Sequence, residues 1–416
     1  MQAMRKRIII AVLVALSCLT GITQAATYYW DANGTTAGFG TSLTGVWDTN
    51  AFWSTSSAGT ATPIVWPGTA NNDVVFSAVD CSSVSTVSVQ NVLGPSAVSS
   101  VTTKAAAQTV KLFGVTSGRF LTMTNAASFN VENGTAAVDL DLAVNVAGSA
   151  GLYKTGAGVL RMYQPSSYTG TTHVQQGTLL VGQNNVIPDN SAVVIDSGAT
   201  LRFDGGGRQE TVGSVAGAGN LILKSAVANA QALTSGGDNS STEFSGVISS
   251  ANATGWFVKT GNGTLTLSGD NTYAQETRVD AGGLLINGDQ SAATGAVTVA
   301  ADAALGGNGT VGADIVFESG AKFMFSANGT LTVPSGKTVT FADFGADDIA
   351  RLSSAVADGT YTLIIGDVSL ANVSNIGKEN AYSLGGSSIA YFENNAGRLD
   401  LTVVSRTLSL MVITSL

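Results

Sequence analysis

Four aspartates are the first candidates for chemistry, because polysaccharide cleavage needs two acidic side chains close together, often beside a basic residue or calcium. They form no close acidic cluster in sequence, although stacking of coils could bring some of them together. The alternative is that they occupy solvated turn and surface positions. We therefore predict no catalytic residues, and a polysaccharide lyase or hydrolase stays open as the alternative. The four candidates are Asp196, Asp204, Asp280 and Asp302.

His173 is the only histidine of the chain, which excludes a metal site with two histidines and a relay of histidines. Its neighbour Val174 holds the apolar phase of an alternating pattern, so His173 should point outward. With Cys81 the only cysteine beyond the N-terminal segment, we also expect no cysteine metal cluster and no internal disulfide. The sequence predicts no metal site and no cofactor.

Tryptophans are the best candidates for ligand binding, because an aromatic face packs well against a sugar ring. Four of them fall within the first 66 residues, close to polar turn residues such as Asp31 and Asp48. The alternative interpretation is a small apolar core inside an N-terminal cap. The four residues are Trp30, Trp47, Trp53 and Trp66.

The composition favours many short strands joined by tight turns. Charged residues are 11% of the chain, against roughly 25% in a typical soluble domain. Glycine is abundant, with 50 residues, and disfavours helices because it loses much backbone entropy on folding. Hydrophobic residues reach 44%, enough to bury a sizeable core, so disorder is not expected.

The N-terminus is typical of a secretory signal peptide. A basic group, Arg5-Lys6-Arg7, precedes an apolar stretch over 8–19 that is short for a spanning helix. We predict cleavage after Ala25, or after Ala26 as the second choice, and no transmembrane span afterwards. The net charge of −9 becomes −12, because the removed segment holds three basic and no acidic residues. Such an acidic exported protein is a poor candidate for binding nucleic acid or anionic lipid.

Two segments of the chain repeat each other. Residues 154–182 and 259–287 are identical at 11 of 29 positions. Leucines alternate with polar residues inside each copy, which indicates strands with one apolar face. The shared residues that define the motif are Lys154, Thr155, Gly156, Gly158, Leu160, Tyr168 and Gly177 in the first copy, and Lys259, Thr260, Gly261, Gly263, Leu265, Tyr273 and Gly282 in the second.

Short strands at regular spacing fit either an antiparallel sandwich or barrel, or a parallel solenoid. The long-range repeat favours the solenoid, because a single unit cannot bury its own apolar face and must stack on its neighbours. A solenoid also needs caps over the strand edges at its ends. We predict five regions: a signal peptide at 1–25, a Trp-rich β cap at 26–80, a β-solenoid at 81–335 with repeats at about 151–205 and 255–307, a C-terminal β-rich cap at 336–404, and an apolar tail of unknown role at 405–416.

The order Lys-Thr-Gly-x-Gly-x-Leu, then Tyr, then Thr-x-Val-x-x-Gly-x-Leu-Leu, resembles the autotransporter-associated β-strand repeat, also called the passenger-associated transport repeat. The second copy fits best, and the first departs from it over 163–168. The resemblance implies an all-β, right-handed parallel β-helix in an exported passenger of a Gram-negative bacterium. It also implies that the repeats assist folding or export.

A complete autotransporter ends in a membrane β-barrel of many alternating strands with aromatic girdles. Only 79 residues follow Lys337, and they do not show this pattern. We therefore expect the chain to lack that barrel and to use a separate outer-membrane translocator. The leading hypothesis is a non-enzymatic structural or adhesive protein of the cell surface, with surface glycans or other surface proteins as partners. A glycan-binding protein using the N-terminal tryptophans is a further alternative.

Overall fold

A computed structural model describes residues 25–405, apart from 69–71, 78–80, 82, 91–95, 107, 115–118, 204–208, 225–231, 252–255 and 396. The predicted signal peptide up to residue 24 and the tail from 406 lie outside the described residues. Within the described part there are 41 strands and two short 3-10 helices, so the fold is all-β as predicted.

The strands are short and follow one another with few residues between them. In chain order they are β1 Thr27–Trp30, β2 Gly45–Val46, β3 Trp53–Ser54, β4 Asp73–Phe76, β5 Ser85–Val89, β6 Ser96–Thr103, β7 Val110–Gly114, β8 Phe120–Val131, β9 Leu140–Ala143, β10 Asn145–Gly148, β11 Leu152–Thr155, β12 Val159–Met162, β13 Ser167–Tyr168, β14 Thr172–Val174, β15 Thr178–Val181, β16 Ala192–Ile195, β17 Thr200–Phe203, β18 Gln209–Val212, β19 Ser214–Gly217, β20 Asn220–Lys224 and β21 Ala232–Ser235.

The second half continues in the same way, and the two 3-10 helices lie at Ala346–Asp348 and Lys378–Asn380. Its strands are β22 Thr242–Phe244, β23 Val247–Ala251, β24 Trp256–Lys259, β25 Thr264–Leu267, β26 Thr277–Val279, β27 Gly283–Ile286, β28 Asp289–Gln290, β29 Val297–Val299, β30 Ala304–Gly307, β31 Thr310–Val311, β32 Ile315–Phe317, β33 Lys322–Met324, β34 Leu331–Thr332, β35 Thr338–Phe341, β36 Ile349–Ala350, β37 Gly359–Ile365, β38 Asp367–Val368, β39 Tyr382–Gly385, β40 Ser388–Asn394 and β41 Arg398–Ser405.

Strands pair in parallel with strands of the next turn rather than with their sequence neighbours, which confirms the predicted parallel β-solenoid, of about 10 turns. Three faces run along it. Face 1 includes β11, β14, β16, β19, β22, β25, β27, β30 and β33. Face 2 begins with β2 and β5 and ends at β23, and face 3 runs from β18 to β38. A further sheet starting at β28 follows β23, and residues 270–272 hydrogen-bond to both strands. The right-handed sense stays a prediction.

Period-two side-chain alternation places the core inside the coil. In β25, Leu265 and Leu267 are buried while Thr264 and Thr266 are only partly covered. The same alternation holds in β12, where Leu160 and Met162 face inward. Because the ladders keep register, each inward residue stacks on an inward residue of the next turn; Leu265, for example, lies opposite Leu284. The apolar rows therefore form one continuous core along the solenoid.

Antiparallel strand pairs lie at both ends of the solenoid, and the predicted bounds of the two caps stay a prediction. At the N-terminal end, β3 runs antiparallel to β1, pairing Trp30 with Trp53, while the other edge of β1 joins the parallel ladder through β4. At the C-terminal end, β41 runs antiparallel to β37, and β40 and β39 complete the sheet. An antiparallel cap stops further coils from adding, which limits edge-to-edge association.

The two copies of the repeat build different corners of the coil. In the first copy, β11 lies on face 1 and β12 on face 2. In the second copy, β24 lies on face 3 and β25 on face 1. The repeats are therefore displaced by one face and are not stacked in equivalent positions. Each copy forms a corner between two neighbouring faces, and this corner fits the parallel ladders at either position.

No helix among the residues that the structure describes has the length and apolar character needed to span a membrane.

Successive corners of the coil approach each other so closely that some corner positions require glycine. At Gly236, with φ of 133°, an added Cβ would lie 1.7 Å from the Thr260 carbonyl oxygen of the next turn. Gly336 also has a positive φ, 84°, but an added Cβ there meets nothing within 4 Å. We expect Gly336→Ala to cost about 1–2 kcal/mol through backbone strain alone. Gly236→Ala should cost about 1–3 kcal/mol more, because the corners must separate.

The unfolding free energy of both variants is measured by urea titration, with circular dichroism as the signal. Equal losses of unfolding free energy in the two variants would show that the corners are not packed as closely as described.

Candidate functional site

The lysine of each repeat is buried inside a corner of the coil. In the first copy the Lys154 ammonium is fully buried and donates to three backbone carbonyls. Its acceptors are the oxygens of Thr155 at 2.8 Å, Gly156 at 2.6 Å and Gln176 at 3.0 Å. Two of these lie in the turn that follows the lysine, and the third lies one coil further on. The side chain thus satisfies carbonyls that the tight turn leaves without backbone partners.

The second copy reproduces this arrangement on another pair of faces. Lys259 is 2% exposed and donates to the carbonyls of Thr260, Gly261 at 2.9 Å and Ala281 at 3.2 Å. Its third acceptor again lies 22 residues downstream of the lysine, as in the first copy. We call each set of one lysine and three carbonyls a lysine corner.

Burial lowers the pKa of both lysines to about 8, because the charged ammonium loses its hydration. Negative charge nearby partly opposes this effect, from Asp139 in the first copy and Asp238 in the second. The lysine corner can hold a protonated amine only because three carbonyl dipoles replace water. No catalytic role follows from this geometry, since every proton of the ammonium is directed at the backbone.

Glycines of the motif let consecutive corners stack. Gly177 and Gly282 each follow the residue whose carbonyl closes the lysine corner, and both have φ of 66°. A Cβ at Gly177 would lie 2.5 Å from the Gly158 oxygen, and one at Gly282 would lie 2.3 Å from the Gly261 oxygen. Glycine is required for both reasons, the left-handed backbone and the close approach.

The tyrosine of each repeat is also inside the coil. Tyr168 and Thr172 hydrogen-bond through their hydroxyls at 2.6 Å, and Tyr273 and Thr277 do the same at 2.5 Å. Both tyrosines are 1% exposed. Burial raises the pKa of the Tyr273 phenol to about 12 and raises that of Tyr168 further. These phenols stay neutral, and their hydrogen bonds to the threonines stabilise one side of the coil.

The four N-terminal tryptophans form a buried cluster. Trp30, Trp47 and Trp53 are fully buried and Trp66 is 4% exposed. Ring centroids of Trp47 and Trp53 lie 4.7 Å apart, and the Trp53 Nε1 donates to the Trp47 carbonyl at 3.0 Å. A buried indole has no face to offer to a sugar, so the glycan-stacking interpretation of these four residues is wrong for this structure. The four tryptophans lie in an apolar core of the N-terminal region, as in the alternative interpretation.

The three candidate carboxylates that the structure describes each have a separate partner. Asp196 lies 2.8 Å from the His173 Nε2, and Asp302 accepts from Lys322 at 3.0 Å. Asp280 accepts from Arg278, the repeat counterpart of His173, at 3.1 Å. Asp204 lies outside the described residues. Over the part of the chain that the structure describes, no group of three or more His, Cys, Asp or Glu could hold a metal ion. Cys81 is a free, buried thiol.

Sequence reasoning missed a buried carboxylate on face 3. Glu210 is 1% exposed and accepts from the backbone N–H groups of Ile187 at 2.6 Å and Val186 at 3.3 Å. Burial raises its pKa to about 8, against the lowering effect of these hydrogen bonds. The alternation of side chains along β18 could have revealed it, since Glu210 lies two residues from Val212 and points to the same inward side of the strand. A second missed carboxylate is that of buried Asp141, which lies 2.6 Å from the Arg161 guanidinium.

Removing a lysine corner should weaken the coil. Lys154→Met or Lys259→Met keeps the apolar stem but leaves three carbonyls without the ammonium. We expect each change to lower the unfolding free energy by about 1–3 kcal/mol. The matched control is Lys378→Met, at an exposed position, which should stay within about 0.5 kcal/mol of the parent. Urea midpoints measure all three, and parent-like midpoints for the two buried positions would refute a structural role.

Glu210 should make stability depend on pH. Its folded pKa of about 8 exceeds the ordinary value of 4.5, so its contribution is fully present below pH 4.5. The contribution is lost as pH rises through 8, because the unfolded state releases the proton first. We expect Glu210→Gln to flatten the fall of unfolding free energy between pH 5 and pH 8. Exposed Glu318→Gln serves as the control, and identical pH profiles for Glu210→Gln and the parent would contradict the assignment.

Comparison with known proteins identifies the repeats. The family described as the passenger-associated-transport-repeat matches residues 152–181 and 257–286, the two segments that hold the lysine corners. The chain is also similar to the adhesin BmaC autotransporter of Brucella suis biovar 1 (strain 1330), at 48% identity over 83 residues. That alignment covers 20% of this chain and 2% of the relative. No solved structure shows significant similarity to the chain. The predicted resemblance is thus confirmed: this chain carries two passenger-associated transport repeats.

Proposed function

We propose that this protein is a non-enzymatic, adhesive passenger-type protein exported to the surface of a Gram-negative bacterium. The observation that carries the proposal is the pair of passenger-associated transport repeats inside a continuous parallel solenoid. The similarity of one segment to an autotransporter adhesin supports the same function. That segment spans 2% of the relative's length, and we propose that the adhesive role extends to this chain.

The physical properties of the solenoid suit adhesion. A stack of coils presents long faces whose outward residues can vary without affecting the core. These faces are rich in polar uncharged residues, in keeping with a charged fraction of 11%. The candidate carboxylates at Asp196, Asp280 and Asp302 are each engaged by a basic side chain, which suits surface positions better than a catalytic pair.

The repeats themselves serve folding and export in this proposal. Each lysine corner links residues no more than 22 positions apart, so one coil can form as soon as that length of chain is available. Contacts this local form quickly, and finished coils then provide the edge for the next. A chain that emerges gradually from a membrane pore could therefore fold in sequence. The pore would be a separate outer-membrane translocator.

Surface display and adherence test this function together. The full-length gene is expressed in a Gram-negative host, and intact cells are labelled with an antibody against the solenoid. Adherence of these cells to glycan-coated and protein-coated surfaces is then compared with that of empty-vector cells. We expect labelling of intact cells and several-fold higher adherence to at least one surface.

A host carrying the double variant Lys154→Met and Lys259→Met should show weaker surface labelling at equal expression, if the repeats assist export. Failure of the parent protein to reach the surface would contradict the localisation. Turnover of a polysaccharide that is abolished by changing a carboxylate pair would contradict the non-enzymatic function.

A further inference from the structure

An open groove lies near the N-terminal end of the solenoid, outside the tryptophan cluster. Its volume is about 480 Å³, within the range of about 300–1,000 Å³ typical of small-ligand sites. One wall is formed by Tyr29 and Phe39, whose rings are stacked with centroids 5.7 Å apart and planes 17° from parallel. Both rings are partly exposed, unlike the indoles of the cluster. We call this feature the aromatic groove.

Three successive coils supply a polar rim of the groove. Ser77, Lys104 and Glu132 follow the ends of β4, β6 and β8, which lie in register in one ladder. The Lys104 backbone N–H donates to Phe76, and that of Glu132 donates to Thr103, so the rim residues are spaced by the ladder. Adjacent strands of a sheet lie about 4.8 Å apart. The rim is therefore a polar row with a fixed spacing.

The charges of the rim compensate each other. Lys104 Nζ lies 2.6 Å from Glu132 Oε1, and this ion pair lowers the pKa of the Glu132 carboxyl. The side chains are 45% and 37% exposed, so both remain reachable by a ligand. The ammonium has three protons, of which the ion pair uses one, and the carboxylate has further lone pairs. The rim thus offers donors and acceptors side by side with no net charge.

We propose that the aromatic groove binds a neutral pyranose unit of a glycan. A pyranose has an apolar C–H face that packs on an aromatic ring and an edge of hydroxyls that both donate and accept hydrogen bonds. The groove supplies the first contact through Tyr29 and Phe39, and the second through Lys104, Glu132 and the Ser57 hydroxyl. This proposal deepens the adhesive function and rests on it for its biological meaning.

Charge selects among the glycan classes. An anionic sugar would gain from Lys104 but would face the Glu132 carboxylate 2.6 Å from that ammonium. The net charge of −9 adds a general repulsion of anions. A neutral saccharide meets no such repulsion, so we infer selectivity for neutral over carboxylated sugars.

Saturation-transfer NMR with the purified exported chain tests the proposal. The neutral probes are lactose, maltose, cellobiose and N,N′-diacetylchitobiose, and 3′-sialyllactose is the charged counterpart of lactose. We expect transfer to at least one neutral saccharide and a weaker signal for the sialylated one. Ser57→Trp, at an exposed lining position, should fill the groove and reduce the signal at least tenfold. Glu132→Gln should leave Lys104 without its charge partner and shift preference toward 3′-sialyllactose.

Tyr29→Ala should also abolish the signal, and Tyr163→Ala, at an exposed aromatic outside the groove, is its matched control. Because Tyr29 lies in β1, thermal unfolding is used to check that each variant is folded. If Tyr29→Ala does not fold, Ser57→Trp alone tests whether the groove is the binding site. The proposal is overturned if no neutral saccharide binds, if only the anionic probe binds, or if Ser57→Trp binds as the parent does. If the purified protein binds a saccharide but cells that display it do not adhere, the proposal for the groove is supported and the adhesive function is contradicted.

Discussion

The rest of the structure depends on the requirement that every coil pair its backbone with the coils above and below it. A parallel ladder fixes the spacing between coils at about 4.8 Å, so the corners as well as the strands must pass one another at that distance. Strands meet this condition readily through alternation, as Leu265 over Leu284 shows. Corners meet it only with special residues, because a turn leaves carbonyls unpaired and brings backbone against backbone. The solenoid is limited by its corners more than by its faces.

The passenger-associated transport repeats are best understood as one solution to this corner problem. The lysine supplies three protons to carbonyls of two successive coils, and the glycines remove the Cβ atoms that would collide. The tyrosine and threonine join one side of the coil from within. Because all of these contacts are local, the motif works between faces 1 and 2 and again between faces 3 and 1. This independence from position explains how one pattern of residue types can recur within the chain without stacking on itself.

The residues that define the repeat motif differ from those that line the proposed binding groove. The lysines, leucines and tyrosines that define the repeat motif are buried, which leaves them no surface with which to contact a partner. The aromatic groove lies instead near the N-terminal cap, where the loop that carries Phe39 approaches the outward row of face 1. The buried tryptophans pack inside the end of the solenoid, while the partly exposed rings of Tyr29 and Phe39 beside them remain available for the proposed binding.

The sequence alone determined the strand alternation and the repeat, because each copy is a pattern within about 30 residues, and the recurrence of that pattern far along the chain favoured the parallel solenoid over a sandwich or barrel. It could also have revealed Glu210, whose inward phase is visible in β18. Only the tertiary structure decided which aromatic residues are buried: the sequence could not separate Trp30 from Tyr29, neighbours in one strand whose side chains point to opposite sides. The same holds for the lysine corners and for the Lys104–Glu132 pair, 28 positions apart in the chain. Their partners are set by the register between coils, and register is a property of the stack.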